Sequence, residues 1–264
     1  MKPFIKWVGG KTRLLSEIGT RLPRYNTLIE PFVGGGALVL NQESKPAIVN
    51  DFNWQLMTVY HLVKTNPESV INSLVELSTD KDTYLRIREL APIAPIEVAT
   101  RFIYLNKVGF NGMWRENSYG KFNVPYGKGK AEKKIEELVS FDQIRSASER
   151  LQTVELVTGD FTNASSRAKE GDFVFFDPPY VDTWAAYNSE AFDAKSHKRL
   201  RKELDRLDSL NIKFMLTNSY NDVTKELYKG FNQEEIFVSY VLGGKNASRE
   251  KRSEIMVTNY EGAN

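Results

Sequence analysis

Short apolar runs alternate with helical spacing over most of this chain. Residues 27–31, 47–50, 154–158, 173–176 and 212–216 are compact apolar stretches bounded by turn residues, and they read as buried strands. Between them the spacing changes to about 3.6 residues. Leu14, Leu15, Ile18 and Leu22 predict a helix before the first run, and Leu56, Tyr60 and Val63 one after the second. Residues 189–196 read as a polar loop, Leu200, Leu204, Leu207 and Leu210 predict a helix before 212–216, another lies around Leu227, and strands 235–241 and 253–260, joined by a glycine-rich basic linker over 242–252, close the pattern. Strands alternating with helices predict an α/β fold. Across 66–151 the alternation stops and helical patterns take over: Pro67 opening Val70, Ile71 and Leu74; then Val98, Phe102 and Leu105; then Phe141, Ile144 and Leu151. The expected organisation is an α/β domain in two parts, 1–65 and 152–264, interrupted by a mainly helical domain, 66–151.

The run 173–180, FVFFDPPY, holds the only Pro-Pro pair. Four apolar residues ended by prolines predict a central strand that stops there, because proline has no amide hydrogen for the ladder. Asp177 then sits at a strand's carboxyl end, where ligands of open α/β sheets bind; the bland alternative is an Asp-Pro turn beside a core tyrosine. Other strand ends also carry acids: Glu30, Asp51 and Asp160. Asp51 is placed to hold a ribose diol, since a carboxylate accepts from both hydroxyls. It could equally cap the following helix, in competition with Asn53. Asp160, followed by Phe161, could bond an adenine amino group while the ring packs its face.

Two glycine clusters add to this. After Glu30 come Phe32, Val33, Gly34, Gly35 and Gly36, then an expected helix over 37–40. Such a loop lets a ligand approach the backbone, with an anion at the helix N-terminus, although a plain turn is the alternative and Val39 breaks the G-x-G-x-x-G pattern. Residues 4–11, FIKWVGGK, precede the first helix. Gly10, Lys11 and Thr12 resemble the end of a P-loop, but Ile5 occupies the place of its first glycine, so nucleotide hydrolysis is excluded.

Residues 108–130, VGFNGMWRENSYGKFNVPYGKGK, mix glycine, proline, aromatics and bases. Turn chemistry at 117–120 predicts a hairpin over 112–127, with Trp114 and Arg115 on one arm and 122–125 on the other. Arginine can bond guanine bidentately, and an aromatic can stack on or wedge between bases; the alternative packs those rings on the helices.

Composition narrows the picture further. The chain of 264 residues can bury a large core, and the lack of cysteine excludes disulfides, thiolate metal sites and a cysteine nucleophile. Two distant histidines, His61 and His197, leave no transition-metal site expected. With no signal-type h-region and no apolar run of about 18 residues, a soluble cytoplasmic protein is expected. The net charge is only +2, yet bases cluster in three places. They are Lys121, Lys128, Lys130, Lys133 and Lys134; Lys195, Lys198, Arg199, Arg201, Lys202 and Arg206; and Lys245, Arg249, Lys251 and Arg252. An anionic partner fits that clustering, as does a solvated surface.

In order along the chain, FIKWVGGK, LIEPFVGGGAL, VNDFN, the GFNGMWREN to FNVPYGK segment, GDF and FDPPY resemble the Dam family of DNA adenine-N6 methyltransferases. The resemblance implies a Rossmann-like fold with a mixed seven-stranded sheet binding S-adenosyl-L-methionine, and a target-recognition domain over 66–151. Cofactor positions of the family match Trp7, Lys11, Asp51 and Asp177, with Glu30, Phe32, the loop of Gly34 and Gly36, Asp160 and Phe161 nearby. For double-stranded DNA and the sequence GATC, the resemblance points to Lys6, Phe110, Asn111, Met113, Arg115 and Pro125, with Asn117 and Lys128 in the same segment. Phe110 stands where a tyrosine is common, which puts a hydroxyl contact in doubt but not a wedge. A monomer is expected in isolation, with two copies on DNA the other arrangement; a bacterial or phage-encoded enzyme acting without metal or membrane is implied.

The chemistry agrees. Adenine N6 is a poor nucleophile because its lone pair is delocalised, so a site must accept its hydrogens. Asp177 can accept one and the Pro178 carbonyl the other, with Pro178 and Pro179 fixing that carbonyl's direction. Tyr180 would stack on a base that has left the duplex. Asp177 is not cast as a general base, since an aspartate ordinarily titrates near pH ~4. Two rivals remain. Another amino-methyltransferase, acting on cytosine N4, RNA or a protein amide, would favour NPPY or SPPY. The other is a DNA-binding module that has lost catalysis, against which the presence of Trp7, Lys11, Asp51 and Asp177 counts and for which cofactor binding without methyl transfer would speak.

Overall fold

The computed structural model describes residues 1–42, 45–117, 119–130, 133–181, 192–241 and 249–261. Its seven strands are β1 (Leu28–Glu30), β2 (Ala47–Asp51), β3 (Val154–Thr158), β4 (Phe173–Phe176), β5 (Lys213–Ser219), β6 (Asn232–Val241) and β7 (Arg249–Thr258). They form one sheet in the order β3-β2-β1-β4-β5-β7-β6. β1 is parallel to β2 and β4, and β4 to β5, whereas β7 is antiparallel to β5 and β6. The sheet is therefore mixed and seven-stranded, as the resemblance implies. Glu30 ends β1 and Asp177 follows β4, its parallel neighbour, while Asp51 ends β2.

The chain forms two compact units. One comprises Met1–Thr12, Val33–Ser44 and Asp51–Gly159, and so holds the whole helical segment together with the glycine loop. Its helices are α2 (Trp54–Thr65), α3 (Pro67–Val75), α4 (Lys81–Glu89), α5 (Pro95–Val108), α6 (Ile135–Leu138) and α7 (Phe141–Leu151), α1 (Leu15–Arg21) belonging to the other unit. Local signals set their starts: Asn53, Asp80 and Ser140 cap α2, α4 and α7, and prolines open α3 and α5. α2 packs on α3, α5 and α7 through Leu56, Val59, Tyr60 and Val63, all buried.

The second unit comprises Arg13–Phe32, Lys45–Asn50 and Asp160–Asn264. Ile29, Val174, Phe176, Phe214, Leu216, Ile255 and Val257 form its core with Leu200, Leu204 and Leu207 of a helix Ala194–Ser209 (α9, after a short α8 at Thr162–Ser165). All four residues of β4 are buried, the double-sided burial that an unbroken apolar run requires.

Three expectations need correction. No helix follows the glycine loop over 37–40: a single 3-10 turn, Val39–Asn41, is all that forms. The Asn41 side-chain amide donates to the Ala37 carbonyl (2.9 Å), taking an acceptor that a helix would give to a backbone amide. The polar loop expected over 189–196 has 189–191 outside the described residues, and its last three residues already belong to α9, because the Asp193 carboxylate accepts the Ser196 amide at 3.0 Å and starts the helix there. The linker expected over 242–252 falls on 242–248, outside the described residues, while 249–252 belong to β7.

Candidate active site

In the first unit the glycine loop and the strand-end acid are bonded together. The Asp51 carboxylate accepts the Gly34 amide on Oδ2 (3.0 Å) and the Asn53 amide on Oδ1 (2.9 Å). Asn53, not Asp51, caps α2, its side-chain oxygen accepting from Gln55 and Leu56. Burial pushes the Asp51 carboxyl up, while the amides of Asn53, Gly34 and Phe52 pull it partly back. A carboxylate has about four acceptor sites, so these amides leave room for a hydroxyl donor.

Gly34 takes φ +47°, and a Cβ there would lie 2.6 Å from Trp7 Cδ1. Its carbonyl accepts the Tyr60 hydroxyl at 2.9 Å. Trp7 in turn stacks on Phe102, 6.3 Å between centroids and 17° between planes. Gly36, at φ +68°, leaves no space for a Cβ beside Tyr60. The loop is locked from behind by Trp7 and Tyr60, so backbone rather than side chain is what it offers a ligand. Lys11 is buried in a 3-10 turn and donates to the Gly9 carbonyl (2.8 Å).

The same unit builds the recognition segment. Its pairing includes two isolated bridges, Gly109 with Tyr126 and Glu116 with Phe122, cross-arm bonds from the Asn117 and Asn123 amides to the Lys121 and Arg115 carbonyls (2.9 and 3.0 Å), and the turn bond from the Gly120 amide to the Asn117 carbonyl (2.9 Å). The rings divide. Trp114 stacks on Phe102 at 3.8 Å and packs on Phe122, and Tyr126 donates to the Thr79 carbonyl, so these are structural. Phe110 and Tyr119 are exposed. Asn111 adopts φ +55°, a conformation asparagine tolerates. The Arg115 Nε donates to Asn123 Oδ1 (2.7 Å) and its Nη2 to the Asn123 carbonyl (3.4 Å), which holds that edge of the guanidinium on the opposite arm. Asn117 uses its side-chain oxygen to accept the Tyr119 and Lys121 amides, each at 3.0 Å. Met113 is half-buried, whereas Lys6, Pro125 and Lys128 are exposed.

In the second unit the Asp-Pro-Pro-Tyr run leaves β4 and is pinned along its length. Thr217 of β5 donates its hydroxyl to Asp177 Oδ1 (3.1 Å). Pro178 is buried and Pro179 exposed. The Tyr180 hydroxyl donates to Glu254 Oε2 (2.6 Å), and the Val181 amide donates to Asn218 Oδ1 (3.0 Å). Burial first, then the charges of Asp177 and Glu254, raise the Tyr180 phenol well above its ordinary range, so it stays a neutral donor. Glu30 ends β1 and is buried. Phe161 is also buried, stacked on Phe32 (5.6 Å, 24°) and under the Arg199 guanidinium. Asp160 bonds Arg199 (2.8 Å) and Thr162; burial works to raise its carboxyl, but those bonds outweigh it and hold it low.

Thr217, Glu254, Tyr60 and Asn106 carry much of this arrangement and were not singled out as site residues from the sequence. Only Glu254 left a signal, an acid inside the apolar run SEIMV. Of the basic groups, the second has its arginines engaged: Arg199 with Asp160, Arg201 with Asp205 and Arg206 with Glu203. In the third, Lys245 lies outside the described residues, as do the side chains of 249–252. Among the described residues no cluster of three His, Asp or Glu could hold a metal, and no helix is long and apolar enough to cross a membrane.

A mixed seven-stranded sheet, a glycine loop bonded to the acid that ends its second strand, and Asp-Pro-Pro-Tyr after its fourth define an S-adenosylmethionine-dependent amino-methyltransferase. The sequence model of the D12 class N6 adenine-specific DNA methyltransferases matches residues 7–240, and the chain belongs to that family. It is 39% identical over 276 residues to the type II methyltransferase M1.LlaDCHI of Lactococcus lactis subsp. cremoris, covering 98% of this chain and 96% of that one. It is 33% identical over 291 residues to M.MjaIII of Methanocaldococcus jannaschii, covering 98% and 99%. To the DNA adenine methylase of Escherichia coli K12 it is 29% identical over 267 residues, covering 97% and 94%. This protein is thus an adenine-specific DNA methyltransferase that uses S-adenosylmethionine.

Proposed function

We propose that it methylates the adenine of GATC in double-stranded DNA, taking the base out of the helix to do so. The observation that carries the reading of the site is the Asp177 carboxylate at the end of β4, held by Thr217 and followed by a buried proline. A flipped adenine offers two N6 hydrogens; Asp177 accepts one and the Pro178 carbonyl the other, drawing the lone pair out of conjugation. Tyr180 packs on the base, and Pro179 stiffens the turn. S-adenosylmethionine held there would supply an electrophilic sulfonium methyl to N6, its sulfur leaving as a thioether, and the amine's surplus proton would pass to solvent. Asp51 takes the ribose hydroxyls. Trp7, Lys11, Gly34 and Gly36 shape the cofactor loop, and Glu30, Phe32, Asp160 and Phe161 are assigned to the cofactor by the resemblance.

Residues 66–151 act as the target-recognition domain. Arg115, with its Nε fixed by Asn123, reads guanine, while Lys6, Met113 and Pro125 contact bases. Phe110 wedges into the stack beside Asn111, and Lys128 meets phosphate. Asn117 shapes the turn that carries them. The protein works in the cytoplasm as a monomer in isolation.

Expression in a host lacking adenine methylation, followed by sequencing of modified bases, tests this. N6-methyladenine confined to GATC is expected. Methyl groups found only at other sites would overturn the specificity.

A further inference from the structure

Glu254 lies mid-strand in β7, opposite Ser219 of β5 and Ile236 of β6, and is 2% exposed. Its neighbours Ile255, Met256 and Val257 are core residues. A carboxylate at such a position needs partners, because burial otherwise penalises its charge. Tyr180 is one: its hydroxyl donates to Glu254 Oε2 at 2.6 Å. Thr217 gives its own hydroxyl hydrogen to Asp177 Oδ1 (3.1 Å), so Asp177 and Tyr180 are each held by a bond of their own within one unit.

We infer that Glu254 is a positioning residue for methyl transfer, holding the Tyr180 ring in place through its hydroxyl. The inference rests on the roles given to Asp177 and Tyr180 above. A ring free to turn about its side-chain bonds offers a flipped base many faces; a ring tethered at its hydroxyl offers one. The stacking role alone needs no hydroxyl. The bond to Glu254 explains why a tyrosine, with its polar tip, serves here, and it makes Tyr180→Phe more than a neutral change.

The test compares Glu254→Leu, Glu254→Gln, Tyr180→Phe and the Glu254→Leu/Tyr180→Phe double variant with the wild-type protein. It measures single-turnover methyl transfer to a GATC duplex and cofactor affinity by calorimetry. Glu254→Leu and Tyr180→Phe should each slow transfer by about 10- to 100-fold through misplacement of the ring, with cofactor affinity within about two-fold of wild type as the sign of an intact fold. The double variant should be no slower than the slower single one, because both remove the same bond. Glu254→Gln keeps an acceptor oxygen and should recover most of the rate. Multiplying effects in the double variant, a Glu254→Leu rate within two-fold of wild type, or a glutamine variant as slow as the leucine one would each overturn the inference. A wild-type protein that transfers no methyl to any duplex would instead bring down the functional reading, and this inference with it.

Discussion

The Asn106 side chain bonds both backbone groups of Lys6: its Oδ1 accepts the Lys6 amide at 3.0 Å and its Nδ2 donates to the Lys6 carbonyl at 2.7 Å. The same Nδ2 donates to the Gly112 carbonyl at 3.0 Å, and Gly112 leaves no room for a Cβ beside the Lys6 side chain. One fully buried amide thus ties the residue before Trp7 to the recognition segment. Asn106→Ala leaves three backbone groups without that partner and should lower unfolding free energy by about 2–4 kcal/mol. Urea denaturation measures it; a loss under 0.5 kcal/mol would mean the groups find other partners.

Gly34 is the position where a single methyl should disturb the cofactor. A Cβ would meet the Trp7 ring at 2.6 Å, and φ +47° is strained for any side chain. Gly34→Ala should weaken S-adenosylmethionine binding by about tenfold or more, the size of a 1–2 kcal/mol backbone penalty. Calorimetric titration checks it, with unchanged affinity as the adverse result.

Arg115→Ala should act on choice rather than chemistry. A lost bidentate guanine contact costs about 1–3 kcal/mol of discrimination, so transfer to duplexes altered at that base should approach transfer to GATC. Equal loss of turnover on every duplex would contradict this division.

His197 gives the stability a pH dependence. It is 1% exposed in α9, edge-on to Phe192, and burial lowers its pKa from 6.5 to about 4. The unfolded chain therefore binds a proton that the folded one refuses between those values. Stability is full above about pH 6.5 and falls as the pH drops toward 4, by up to about 3 kcal/mol. His197→Gln should flatten the dependence of urea midpoints on pH over that window. An unchanged slope would assign it to other groups.

What was legible in the sequence was local. The strand Phe173–Phe176 stops where prolines deny it a ladder donor, and the run of apolar residues is buried on both faces. The start of α3 was marked by Pro67. The missing helix after Gly36 failed because a side chain, Asn41, competed for a backbone acceptor, a choice composition does not reveal. α4 was missed because only Tyr84 and Ile87 of its nine residues are buried, too few for a visible period. Thr217 and Glu254 were hidden for another reason. Each meets Asp177 or Tyr180 only because β5 lies beside β4 and β7 beside β5, contacts 40 and 74 residues apart in sequence.

The central claim is that Asp177 holds the amine of a GATC adenine for methylation. Incubation with cofactor carrying a deuterated methyl and a duplex bearing one GATC, then digestion to nucleosides and mass spectrometry, tests it directly. Wild-type protein should yield labelled N6-methyldeoxyadenosine from that duplex and none from one lacking GATC, and Asp177→Ala should yield none from either. Label on cytosine N4, equal label without GATC, or an undiminished product from Asp177→Ala would contradict the account.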